Sequence, residues 1–194
     1  MSSLHYLDLN TFLRRKFGCR VQKVSLDAGL GCPNRDGLKG TGGCIYCNRL
    51  GSGTGAFPQS IEQQLESGKR FLRRRYKAQK FIAYFQSFSN TYAPVDKLEA
   101  LYRRAASAPG VVGLAIGTRP DCVPDDVLDM IARLGRELYV YMEYGLQSVH
   151  DRTLARINRG HDYGAFLDAL ERTRLRGIDV CVHVILGLPG ETRA

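Results

Sequence analysis

Five apolar, β-branched runs recur along the chain, separated by longer amphipathic stretches. They are KVSLDA (23–28), FIAYFQ (81–86), VVGLAIG (111–117), LYVYMEYG (138–145) and DVCVHVILG (179–187). Near-continuous apolar strands belong to parallel sheets covered on both faces. Four intervening stretches carry helical periodicity. In 58–78, Ile61, Leu65 and Leu72 share one face, after Pro58 in a plausible first turn. In 94–108, Val95, Leu98, Leu101 and Ala105 repeat at helical spacing. Pro124 opens a helix with Val127, Leu128, Ile131 and Leu134, closed by Gly135. A last helix, about 162–176, carries Phe166, Leu167 and Leu170 and stops at Gly177. The alternation predicts an α/β fold with right-handed crossovers, either an open doubly wound sheet or a full or partial barrel.

Each strand is followed by a distinctive loop: a cysteine-containing loop, SFSNTY (87–92), TRPD (118–121), LQS (146–148) and LPGET (188–192). In a parallel α/β barrel such loops gather on one face, where active sites lie. The chain has 194 residues, 44% of them hydrophobic, which suits one globular domain rather than a disordered segment. No stretch reaches the ~18 consecutive apolar residues of a membrane helix. The first twenty residues have no apolar run of the signal-peptide kind. The expectation is a cytoplasmic protein without a membrane partner, its six cysteines unpaired.

The net charge of +9 is unevenly placed. Residues 1–80 hold 15 Lys or Arg against 5 Asp or Glu, and the remainder is nearly balanced. The peak is KRFLRRRYKAQK, Lys69–Lys80, with seven cations and no acid. Such a run either solvates a helix face or contacts the phosphates of a nucleic acid.

The loop after the first strand reads GLGCPNRDGLKGTGGCIYCN, with Cys32, Cys44 and Cys47. Buried apolar cysteines, a structural zinc site and an iron–sulfur cluster are the three readings. So many Gly, Asn, Asp, Lys and Arg make a poor core. A closed zinc site needs a fourth ligand, and none of His5, His150, His161 or His183 is near in sequence. Three thiolates suit a four-iron cluster with one iron left open.

This loop resembles the cysteine motif of the radical S-adenosylmethionine (SAM) superfamily. The usual spacing there has a shorter first gap. The longer gap, with CPNRDGLKGTGGCIYCN, looks like the YhcC-type branch of Fe–S oxidoreductases, which is similar to the radical SAM half of the Elongator catalytic subunit. The resemblance implies a partial (β/α) barrel with a 4Fe–4S cluster on Cys32, Cys44 and Cys47. SAM would be cleaved reductively there, and hydrogen abstracted from a substrate. It also implies an electron donor such as flavodoxin or ferredoxin. Superfamily cores normally continue through another helix and a sixth strand. Residues 1–194 are therefore read as a core domain that is incomplete at its C-terminus, truncated after about the fifth strand.

Further motifs acquire expected roles through the resemblance. YMEYGLQS looks like the fourth-strand signature, which implies that Glu143 and Gln147 contact SAM, Glu143 through ribose hydroxyls. Arg159, in INRGH, is similar in position to an arginine of oxygen-independent coproporphyrinogen oxidase that holds the SAM carboxylate. VILGLPGET resembles the fifth-strand motif lying against adenine, through Gly187 and Gly190. Where relatives have Gly-Gly-Glu after the second strand, Gln86 and Ser87 stand here as acceptors. Where relatives have Glu-Thr-Arg-Pro-Asp after the third, Gly117 replaces the glutamate. The basic N-terminal part makes RNA, especially tRNA, the expected substrate, contacted by Lys69–Lys80. The competing class is a non-catalytic nucleic-acid-binding module with a structural zinc or Fe–S site.

Overall fold

The computed structural model describes residues 5–53 and 55–192. Its strands are β1 Val21–Leu26, β2 Lys80–Phe85, β3 Val111–Thr118, β4 Tyr139–Gln147 and β5 Asp179–Val184. They form one sheet in sequence order, every neighbouring pair parallel. The helices are α1 Leu9–Phe17, α2 Ile61–Tyr76, α3 Val95–Ala106, α4 Asp125–Leu134, α5 Asp151–Arg156 and α6 Tyr163–Leu175. The result is a partial (β/α) barrel.

Alternation along the strands divides the side chains between two layers. Leu26, Phe85, Ile116 and Met142 pack outward against Leu65, Leu98, Leu128 and Phe166 of the helices, in one continuous core. Val21, Ile82, Ala115 and Tyr141 face the other way, around Leu13 of α1. Helix α1 thus covers the inner face near the N-terminal ends of the strands. The inner-face positions nearer the C-terminal ends remain free to build a site. β1 and β5 are the edges of the sheet among the described residues, and β5 leaves Val182 and Val184 exposed.

Two sequence expectations shift. Pro58 does not begin α2. Ser60 caps it instead, accepting from the Gln63 amide at 3.2 Å while the Gln63 side chain accepts from the Ser60 amide at 3.0 Å. The two helices α1 and α5 lie outside the predicted set. Helix α5, at six residues, is too short for a repeating apolar face, whereas α1 has one in Leu9, Phe12, Leu13 and Phe17 that was passed over. No helix among the described residues is long and apolar enough to cross a membrane.

Candidate functional site

The loops after the strands do converge. A cavity of about 320 Å³ opens among them, lined by Cys32, Cys44, Cys47, Glu143, Gln147 and Arg159, with Gln86 on its β2 side. The cysteine loop is held there by backbone and amide contacts. Asn34 is fully buried and donates to the Asn158 carbonyl at 2.6 Å. Asn158 in turn donates to Gly43 O at 2.8 Å, and Ile45 N donates to Ile157 O at 3.1 Å. The cysteine loop and the α5 exit are thereby one structural unit, although more than 100 residues separate Asn34 from Asn158.

Arg159 settles on the cavity wall rather than on a helix surface. It is buried, donates from Nη2 to Gly145 O at 2.5 Å, and places Nη1 3.6 Å from Cys44 Sγ. Its Nε is buried without a partner. Burial pushes the Cys44 thiol up, but the Arg159 charge and contacts from Tyr46 and Arg159 outweigh it and hold the thiol below its ordinary value. That favours the thiolate, the form that ligates metal. Among the described residues, no three Cys, His, Asp or Glu side chains close on one point as ligands of a single ion. Three thiols on one cavity, one biased toward thiolate, beside an unsatisfied guanidinium, fit a cluster with an anionic co-ligand. Cys19, Cys122 and Cys181 do not line this cavity, and burial, with Asp121 second, pushes Cys122 up to about 12.

Glu143 is buried on β4, with Lys23 Nζ at 2.5 Å from one oxygen and His183 Nε2 at 2.9 Å from the other. Burial alone would raise its pKa. Hydrogen bonds from His183, Lys23 and Tyr84, with the Lys23 charge, prevail and hold it at about 2. His183 rises to about 9 through hydrogen bonds with Cys181 and Glu143. The partners of Glu143 are therefore a Lys and a His. Lys23 and His183 were missed as site residues. The available signal was that each is a lone basic residue in an apolar strand, at inner-face parity.

The remaining expected residues divide. Gln147 has a left-handed backbone (φ 76°) at the end of β4, next to a break in register with β5. That turn brings its amide into the cavity, and Gly145 makes room: a Cβ there would lie 2.6 Å from Gln147 Nε2 and 3.0 Å from Arg159 Nη2. Gln86 is tied at both ends, accepting from Ser25 Oγ at 3.1 Å and donating to Ser52 O at 2.8 Å. Ser87 is buried but turned away from the cavity, toward Gly53. Gly187 and Gly190 also lie outside the cavity wall, which on β5 ends with Val184 and Ile185. Their turn docks on α5, where Arg156 donates to Pro189 O at 2.8 Å. Arg119 and Asp121 form a two-pronged ion pair at 2.9 Å, with Lys39 on the same carboxylate at 2.8 Å. A Cβ on Gly117 would meet Phe85 O at 2.9 Å, so the glutamate seen in relatives does not fit this backbone unmoved.

The basic run is not one helical face. Lys69 is buried, 3.3 Å from Glu66 and from Pro109 O. Lys77 caps α2 and Lys80 begins β2. The exposed cations lie at the C-terminal end of α2, where the strands begin, at the opposite end of the sheet from the cysteine loop.

A parallel α/β partial barrel with a three-thiol cavity at the C-terminal ends of its strands defines a cofactor-dependent class of enzyme fold. The chain belongs to the radical SAM superfamily, whose family model matches residues 29–194. It is similar to YhcC of Escherichia coli (strain K12), 45% identical over 184 residues, covering 94% of this chain and 59% of YhcC. The chain thus spans about three fifths of that relative's length. It is also similar to the tRNA-2-methylthio-N(6)-dimethylallyladenosine synthase of Acidithiobacillus ferrooxidans (strain ATCC 53993 / BNL-5-31), 34% identical over 100 residues, covering 50% of this chain and 22% of the synthase. Among solved structures, the archaeal Methanocaldococcus infernus Elp3 shares the fold, with TM-score 0.62 at 18% identity, over 89% of this chain and 39% of that one.

Proposed function

We propose that Cys32, Cys44 and Cys47 hold a 4Fe–4S cluster and that the chain directs reductive cleavage of SAM. The observation that carries this reading is the meeting of three thiols with buried Arg159 on one cavity. Held there and reduced by a donor such as flavodoxin or ferredoxin, such a cluster would supply the single electron that reductive cleavage of SAM to methionine and a 5′-deoxyadenosyl radical requires, and that radical would take hydrogen from the substrate.

The chain's own residues bind and orient. Arg159 offers its guanidinium to the SAM carboxylate, a charge-assisted contact. Glu143 stays ionised, and its oxygens retain lone pairs for ribose hydroxyls beside Lys23 and His183. Gln147 and Gln86 line the intervening wall. Adenine is assigned to the β5 exit, against Ile185, since the Gly187–Gly190 turn expected to hold it lies outside the cavity wall. The substrate class is RNA, supported by the cationic N-terminal part and by the similarity to a tRNA-modifying synthase.

The test is anaerobic reconstitution with iron and sulfide. Wild-type protein should turn brown and absorb near ~400 nm, while Cys44→Ala should lose most of its iron. Stoichiometric zinc without iron would instead favour a non-catalytic module with a structural metal.

A further inference from the structure

The two helices that precede β1 and β2 end side by side. Gln79 N and Lys80 N both donate to Arg20 O, at 3.0 and 3.3 Å, and Lys80 Nζ reaches Phe17 O at 3.5 Å. These contacts stitch the tail of α1 to the tail of α2. The α1 tail carries exposed Arg14 and Arg15, with Arg20 following. The α2 tail carries exposed Arg70, Arg73, Arg74, Arg75 and Lys77. Elsewhere several arginines are paired with carboxylates, and the exposed ones that are not, Arg49, Arg136, Arg152, Arg156 and Arg174, lie singly or as a pair on separate elements. Arg103 and Arg104 of α3 pair with Glu99 and Glu62, and Arg172 and Arg176 pair with Asp168 and Asp129. Among the described residues, none of the cations on the two tails has a carboxylate in ion-pair reach. Cations at helix C-termini complement the helix dipole, yet α3 has the same placement and still pairs its cations.

Aromatic rings are interleaved with this charge. Tyr76 lies between Arg20, 5.7 Å from its ring centre, and Arg75, 5.3 Å away. Phe71 stands edge-on to Tyr76 and is 54% exposed. Unopposed guanidinium groups beside an exposed ring suit phosphates and a stacked base, whereas an acidic protein partner needs no ring. We infer that the joined tails of α1 and α2 form an RNA-docking surface at the end of the barrel opposite the cysteine loop. The inference rests on the reading that the substrate is RNA. Helix α2 has 16 residues and so spans about 24 Å between the two ends. An RNA that touches both must reach across that distance, holding its body on the tails while a distant nucleotide enters the cavity.

The experiment measures binding of bulk tRNA and of a short RNA hairpin by fluorescence anisotropy at several salt concentrations. Wild type should prefer tRNA over the hairpin by roughly tenfold. Changing Arg73, Arg74 and Arg75 together to Gln should lower tRNA affinity at least tenfold and reduce the salt slope by roughly 2–3. Phe71→Ala should lower affinity at least fivefold with the slope unchanged. Equal tRNA binding by wild type and triple variant overturns the surface, as does equal competition by polyglutamate, which would indicate an acidic protein partner. Iron content and SAM cleavage are read on the same samples. Their loss in wild type refutes the cluster reading and leaves the surface intact. Their retention alongside absent RNA binding refutes the surface alone.

Discussion

Replacing Glu143 by Gln removes the anion between Lys23 and His183 while keeping the side chain's shape. The folded protein holds this carboxyl at about 2, against 4.5 ordinarily, a difference of about 3 kcal/mol. Because the folded value is depressed, this stability is fully present above pH 4.5 and is lost as the pH falls toward 2. His183 runs the other way. Its folded value of about 9 lies above 6.5, so its contribution is complete below pH 6.5 and disappears as the pH rises through 9. His183 is half-exposed, so solvent screens its share and the energy is assigned to Glu143 alone. Glu143→Gln should therefore cost about 2–3 kcal/mol at pH 7, somewhat less than the loss of a sole buried partner. The gap from wild type should narrow as the pH falls from 4.5 toward 2. Urea unfolding followed by circular dichroism measures both. In the variant, His183 should titrate below 9 by NMR yet still above its ordinary value, because its hydrogen bond with Cys181 remains. A variant within about 0.5 kcal/mol of wild type at pH 7, with His183 still titrating near 9, would refute the pairing.

Three other outcomes are expected. Gly145→Ala should push Gln147 and Arg159 apart and weaken SAM binding at least tenfold in calorimetry, with unchanged far-ultraviolet dichroism; it would fail if affinity were unaltered. Gly117→Glu should lower the melting temperature by several degrees, because its Cβ meets the Phe85 carbonyl; a neutral result would show that the backbone yields easily. Asn34→Ala should free the cysteine loop from Asn158 and reduce iron retention after reconstitution, and full iron retention would show the loop needs no such tie.

The strands were legible because a sheet buried on both faces leaves near-continuous apolar runs, such as FIAYFQ over β2 and VVGLAIG over β3. The cysteine loop was legible from residue type, since no core tolerates so many glycines and charges. Arg159 rested on the resemblance alone, because nothing local distinguishes a surface arginine from one buried against Gly145 O and Cys44. Lys23 was hidden for the same reason: its carboxylate partner is 120 residues away. The Gly187–Gly190 turn matches a motif in sequence, yet its position depends on Arg156, which sequence pattern does not tie to it. The run Lys69–Lys80 looked continuous, but the end of α2 and the start of β2 divide it, and the fold turns Lys69 inward.

The central claim, that this cavity cleaves SAM reductively, is tested most directly by one measurement. Reconstituted protein is incubated anaerobically with SAM and dithionite, and 5′-deoxyadenosine is quantified by chromatography. Wild type should form it in time-dependent fashion, and Cys44→Ala should form none. Protein carrying a full complement of iron and sulfide that releases no 5′-deoxyadenosine would contradict the assignment.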